Sequence, residues 1–397
     1  MIDVLLAVPD LPQEQDLVTD ATARGLRIVR RCVDAVDLLA AAAAAPLAVA
    51  VVSAGLPRLS GDAVARIAAG REGRLVGLGD DDASLRLLRD LGVRTVARCG
   101  PSSAATATLL AGLMSGAVED RQSDGVWSTG YWPDGNDAHA DGGQVICVWG
   151  PMGAPGRTTV AIGVAEALAE QGRRVCLVDA DTYAPGVALA LGIVEESGGL
   201  PAACRHADHG SLGPASLISC LRRVRGSWHV LVGLPRPERW PELRAAALDR
   251  VWDACRESFD VTVIDIGFCL EDDDGPGAWA RRRNAAALTA LAAADHVLAV
   301  ADGGQEGAAR LMTAWPLVRA AVGSTPVTIV RNRARGDGRA WAAALAAVGV
   351  NAPIRTVPSD PTALARCWAR GRSLGEGARR SRIRRSLGVV AAGGVSG

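Results

Sequence analysis

Short apolar runs alternate with amphipathic stretches from the start of the chain. Val4–Val8, Leu47–Val52, Leu75–Leu78 and Thr95–Ala97 read as strands, while Glu14–Arg24, Asp34–Ala44, Gly61–Ala69 and Ala83–Leu91 carry apolar residues at helical spacing. A closing helix is expected over Pro101–Val118. Strand and helix in alternation predict a parallel sheet of about five βα repeats, the size of a flavodoxin-like fold.

Residues 119–143 turn polar and rich in Gly, Asp and Ser, which is linker chemistry. Trp127, Tyr131 and Trp132 within this stretch either dock it onto a domain face or sit in a partly ordered loop. A second α/β series follows, with strands over Val145–Val148, Val175–Val178, His229–Val232, Val261–Ile266, His296–Val300, Val327–Val330 and Ile354–Val357. Its helices are expected over Thr158–Gln171, Arg244–Glu257, Arg281–Ala292, Ala308–Val322, Arg339–Gly349 and Pro361–Gly371. The predicted organisation is an N-terminal domain over 1–118, a linker over 119–143 and a larger domain over 144–397.

Composition refines this picture in three ways. Basic and acidic residues balance at 43 each, so no overall field calls for nucleic acid or an anionic membrane as an obligatory partner. Every one of those basic residues is arginine. The nine cysteines are odd in number and scattered without a Cys-x-x-Cys pair, which suits a reducing cytoplasm, and no secretion signal or membrane span is expected.

The candidate chemistry begins where the strand Val145–Val148 runs into Gly150-Pro151-Met152-Gly153-Ala154-Pro155-Gly156-Arg157-Thr158-Thr159 and then a helix. A glycine-rich loop in this setting can curl backbone N–H groups round phosphate oxygens, with the helix N-terminus adding partial positive charge. Against the phosphate-loop pattern, Gly156 and Thr158 stand correctly and Thr158 is placed to ligate Mg²⁺. Arg157 takes the place of the lysine and Pro151 that of the opening glycine. A planar guanidinium does not do the work of a compact ammonium, so hydrolysis is in question before binding is. Taken alone, the loop also fits an ordinary Gly/Pro-rich turn.

The rest of the series adds carboxylates at strand ends: Asp179 and Asp181 after Val178, and Asp265 in Val263-Ile264-Asp265-Ile266-Gly267. Carboxyl ends of parallel strands face the ligand crevice of such sheets. With these motifs in order, the segment from Gln144 onward resembles the MinD/ParA/CpaE group of deviant Walker A ATPases. The resemblance implies a P-loop NTPase fold that binds ATP or ADP with Mg²⁺ and acts as a homodimer. It implies catalytic roles for Asp179, Asp181 and Asp265, metal contacts from Thr158, Asp181 and Asp265, and phosphate contacts from Gly153, Gly156, Arg157, Thr158 and Thr159.

By the same resemblance, Ala294-Asp295-His296-Val297 looks like a strand entry of the family, and Asn332 with Arg333, and Pro358 with Asp360, look like its adenine-side turns. Gly233–Trp240 is similar to the pilus-assembly and septum-site branch. Met152 stands where the family's signature lysine would be, so both lysines are missing and turnover is expected to be slow or absent.

In the front domain, Val49–Gly61 resembles the receiver strand that presents a phosphoacceptor aspartate, but Ser53 holds the acceptor position and only Asp10 lies near the end of the first strand. This predicts a pseudo-receiver that is not phosphorylated, an arrangement similar to the CpaE/TadZ localisation proteins; an unrelated flavodoxin-like domain is the other reading. The implied function is to position a pilus or secretion machine, or a division septum, from the cytoplasm or the inner membrane face. A non-hydrolysing scaffold and a partitioning ATPase are the alternatives.

Two smaller signals remain. Cys204, His206, Asp208 and His209 have a spacing that suits either Zn²⁺ or a plain loop. The tail Arg379–Arg385 followed by Leu387, Val389 and Val390 suits either an anionic lipid or DNA contact, or a solvated last helix.

Overall fold

A computed structural model describes residues 2–9, 11, 14–45, 48–68, 75–99, 102–114, 142–194, 198–224, 228–271 and 282–395. The chain divides into two compact units, each built on its own sheet. The expected linker lies almost wholly outside the described residues, as does Asp10.

The first unit holds β1 (Ile2–Ala7), β2 (Leu26–Arg31), β3 (Val49–Ser53), β4 (Leu75–Gly79) and β5 (Thr95–Arg98), ordered β2-β1-β3-β4-β5 with all strands parallel. That order is one of the two common doubly wound arrangements. Alternation along β1 explains the two layers: Leu5 and Ala7 enter one apolar cluster with Leu38, Ile67 and Leu88, while Val4 and Leu6 enter another with Leu17 and Leu110. Both faces are therefore covered, as a parallel sheet requires. Ser53 is buried at the end of β3.

The second unit holds β6 (Gln144–Trp149), β7 (Val175–Ala180), β8 (Arg222–Arg223), β9 (His229–Leu231), β10 (Val261–Ile266), β11 (His296–Asp302), β12 (Val327–Ala334) and β13 (Ile354–Pro358). Their order is β13-β12-β11-β6-β10-β7-β9-β8, parallel throughout except for the short β8. From β6 the chain crosses over β10 to reach β7, and from β10 it crosses back over β6 to reach β11. The crevice at the carboxyl ends of β6, β7 and β10 is thus where a doubly wound sheet accepts ligands.

Two helices pack side by side on one face of this sheet. Arg157–Glu170 buries Val160, Ala161, Val164, Ala165 and Leu168 against the sheet, and Arg382–Val395 lays Ile383, Leu387, Val390 and Ala391 into the same core. The two pack closely because residue 163 is glycine: a Cβ there would stand 2.2 Å from Leu387 Cδ1. Gln144 Nε2 donates to the Gly394 carbonyl at 2.8 Å, joining the first strand of the unit to its last helix. The tail is therefore neither solvated all round nor free to offer its apolar face to a lipid; of Ile383, Leu387, Val389 and Val390 only Val389 is exposed, while Arg379, Arg380, Arg382 and Arg385 face solvent.

Cys204, His206 and Asp208 lie on the helix Gly199–Asp208 rather than in a loop, with Cys204 buried. Among the described residues no three His, Cys, Asp or Glu side chains are arranged to hold a metal ion. No described helix is long and apolar enough to cross a membrane.

Candidate functional site

β6 delivers the loop Gly150–Gly156 to the crevice, and the helix Arg157–Glu170 leaves it. The loop turns through left-handed backbone at Gly153 (φ +107°), Ala154 (φ +51°) and Gly156 (φ +97°). Gly156 is required twice over: its φ disfavours any L side chain, and a Cβ would stand 2.3 Å from Asn332 Nδ2. That amide instead donates to the Pro155 carbonyl at 2.7 Å in a buried bond, so the end of β12 clasps the loop.

Three carboxylates line the other side. Asp179, Asp181 and Asp265 are all nearly inaccessible, on the ends of β7 and β10, where Asp179 and Asp265 are register partners. Thr158 Oγ1 donates to Asp265 Oδ2 at 2.6 Å. Asp265 Oδ1 is buried without a hydrogen-bond partner, and so is Arg157 Nε.

Asp179 accepts from Val187 N at 3.0 Å and Asp181 N at 3.3 Å, which fixes the turn after β7. Burial pushes its carboxyl up to about 7, against the backbone bond from Val187 and with the help of the Asp181 charge. Burial also raises Asp265 well above the usual carboxylate range; Asp179 adds to this, while the Thr158 bond and Arg157 oppose it. A carboxylate kept so dry is costly to charge without a cation nearby.

Arg157 does not extend freely. Its Nη1 donates to the Gly150 and Pro151 carbonyls at 3.2 and 3.4 Å, and its Nη2 to Asp181 Oδ2 at 3.1 Å. Asp181 Oδ1 in turn accepts from Tyr183 N and Ala184 N at 2.8 and 3.0 Å. Tyr183 OH donates to Asn284 Oδ1 at 2.9 Å, and the Arg283 guanidinium lies 4.1 Å from the Tyr183 ring centre. Asn284 Nδ2 also donates to the Glu271 carbonyl at 2.8 Å. Arg157 of the glycine-rich loop, the turn after β7 and the segment after β10 are thus linked through Asp181 and Tyr183.

The remaining sequence-derived residues gather at a second place. Thr159, Asn332, Arg333, Pro358 and Asp360 line one cavity of about 270 Å³ beside the loop. Asp360 caps the helix Pro361–Trp368 through Ala363 N at 3.1 Å and accepts from Ser381 Oγ at 3.1 Å. The Arg333 backbone is left-handed (φ +50°) and its half-exposed side chain reaches Asp302 at 3.6 Å. Gly153 sits on the exposed crest of the loop next to Met152, whose side chain is also exposed.

Sequence reasoning missed two side chains here. Trp368 forms a wall of the cavity while remaining 51% exposed, and a large aromatic left outside on an amphipathic helix was the available signal. Arg310, on the helix Gln305–Val322, donates to the Met152 carbonyl at 3.3 Å and so brings a cation to the loop crest. Nothing in the spacing of Arg310, 158 residues away, marked it.

The second unit is a doubly wound α/β sheet with a glycine-rich loop and three carboxylates at its crevice, a fold similar to that of solved MinD and ParA structures. Neither a protein-family model nor a curated protein sequence matches the chain. Among solved structures, the ParA family ATPase of Chlorobium tepidum is similar over 63% of this chain and 98% of its own, at 16% identity and a TM-score of 0.54. The cell division ATPase MinD of Pyrococcus furiosus is similar over 63% of this chain and 97% of its own, at 20% identity and a TM-score of 0.50. At these identities the likeness is one of fold.

Proposed function

We propose that the second unit binds ATP or ADP with Mg²⁺ and that the protein uses nucleotide state to position a cellular machine, with slow or absent hydrolysis. One observation carries the binding assignment: at the mouth of the loop, a buried N–H of Arg157 lacks an acceptor and a buried oxygen of Asp265 lacks a donor or cation. Buried polar groups are seldom left unmet, and a phosphate oxygen and a magnesium-bound water would meet this pair. Thr158 and Asp265 would hold the ion together with phosphate oxygens and waters, which suits an ion that keeps much of its hydration. Bound there, Mg²⁺ would neutralise charge on the phosphates. Asp181 would join it only by exchanging Arg157. The cavity lined by Thr159, Asn332, Pro358 and Trp368 would take the base.

The two similar structures are of a ParA family ATPase and a cell division ATPase, which supports a positioning role. The motifs at Gly233–Trp240 and Val49–Gly61 favour the CpaE/TadZ branch, with the first unit as a pseudo-receiver and a homodimer as the working form. The machine would then be a pilus, secretion apparatus or septum, reached from the cytoplasm. Commitment of Arg157 to Asp181 gives a second reading its support: a scaffold that keeps the loop but not turnover. Partitioning would need DNA contact, for which the arginines around 379–385 are the candidate.

Calorimetric titration with MgATP and MgADP, with phosphate release followed alongside, tests this reading. Micromolar binding that is lost in Arg157→Ala supports a nucleotide switch. Binding without phosphate release favours a non-hydrolysing switch, and absence of binding leaves the scaffold.

A further inference from the structure

Arg157 is a cation placed to meet phosphate, yet here each of its terminal nitrogens already has a partner within the protein. Its side chain is 10% exposed and that of Asp181 is 2% exposed, so the pair is screened little by solvent. Two separate nitrogens make the closure possible: one spans the carbonyls of Gly150 and Pro151 while the other reaches Asp181. An ammonium has a single nitrogen and could not bridge both sides in this way.

We infer that Arg157 is an internal latch, filling the phosphate loop when no ligand is bound, and that a polyphosphate binds only by drawing the guanidinium off Asp181. Phosphate and the Asp181 carboxylate compete for the same planar donor, and each holds it by charge-assisted bonds. Release has a second effect, because Asp181 also holds Tyr183 N and Ala184 N, and Tyr183 is tied to Asn284. Freed of its cation, Asp181 becomes a buried carboxylate held only by the backbone N–H groups of Tyr183 and Ala184. Its turn then gives way or takes up Mg²⁺. Ligand entry is thereby coupled to the segments after β7 and β10.

This inference rests on the polyphosphate-binding reading above. Two variants test it. Asp181→Asn keeps an acceptor for Tyr183 N and Ala184 N but removes the charge that holds Arg157. Arg157→Lys keeps the cation but not the bridge. Binding of inorganic tripolyphosphate and of ATP is measured by calorimetry in EDTA, so that any metal role of Asp181 does not enter, with melting curves to confirm folding.

Either folded variant is expected to bind both probes at least about tenfold more tightly than the unaltered chain, a change equivalent to ~1.4 kcal/mol. Equal affinity in the unaltered chain and the variants overturns the latch and leaves nucleotide binding standing. No binding in any of the three overturns both.

Discussion

Thr158 Oγ1 and Asp265 Oδ2 are 2.6 Å apart, one at the start of the loop helix and the other at the end of β10, 107 residues later in the chain. The bond aims the hydroxyl of a loop residue at a carboxylate whose second oxygen has no partner. Thr158→Ala should remove the dependence of nucleotide affinity on Mg²⁺, while Thr158→Ser should keep it. Titrations with ATP in Mg²⁺ and in EDTA decide this: a Thr158→Ala protein that still gains affinity from Mg²⁺ rules out the assigned site.

Asp179 provides a pH signature. Its carboxyl titrates at about 7 in the folded chain, and near the ordinary value of about 3.9 when unfolded. Between those values the folded chain keeps a proton that the unfolded chain has lost. This contribution to stability is present in full below about pH 4 and is lost as pH rises through about 7. Asp179→Asn, which stays neutral, should shrink the drop in melting temperature between about pH 5 and about pH 8. An unchanged drop would place the titration elsewhere.

Asn332 holds the loop shape. Asn332→Ala strands the Pro155 carbonyl in a buried place, which should cost about 1–3 kcal/mol of stability. It should also weaken ATP binding through the loosened loop. Urea unfolding, read at the transition midpoint, checks the first effect and calorimetry the second.

Trp368 is a wall of the cavity but contributes little to the core, being half exposed. Trp368→Ala should therefore leave the melting temperature nearly unchanged and weaken ATP by about 0.5–1.5 kcal/mol, the worth of an aromatic contact beyond its area. Tripolyphosphate, which has no base, should bind as before. Equal losses for both probes would remove the base from this cavity.

Leu387 is fully buried over Gly163. Leu387→Ala should destabilise the second unit by about 2–5 kcal/mol, whereas Val389→Ala, at an exposed position on the same helix, should change little. Similar losses at the two positions would contradict the packing described.

The alternation of apolar runs exposed most strands because parallel sheets covered on both faces need near-continuous Val, Ile and Leu. It failed where that need lapses. β2, Leu26–Arg31, lies at a sheet edge and carries exposed Arg27, Arg30 and Arg31, so its pattern did not read as a strand. The helix expected from Arg281 is described only from Ala285, after Asn284 and Arg283 have turned to bind the segments after β7 and β10. The tail read as solvated because five arginines hid a stripe of Ile383, Leu387, Val390 and Ala391.

The glycine-rich loop and the carboxylates at strand ends were legible because each is a short run of distinctive residue types directly after an apolar strand. The partnership of Arg157 with Asp181 was not, since it depends on which way a long side chain folds. The same holds for Arg310, which reaches the loop from a helix far along the chain.

The helix Arg382–Val395 also sets an order of events during synthesis. Val148 and Val160 share a core with Leu387, Val390 and Ala391, more than two hundred residues later. That face of the sheet, covered earlier in part by the helix Arg157–Glu170, is therefore completed only when Ala391 has left the ribosome. The first unit, closed by contacts among its own strands and helices, can be folded long before then. The nascent second unit is the part of this chain that needs shelter, and a stall late in translation would expose its apolar sheet rather than an incomplete loop.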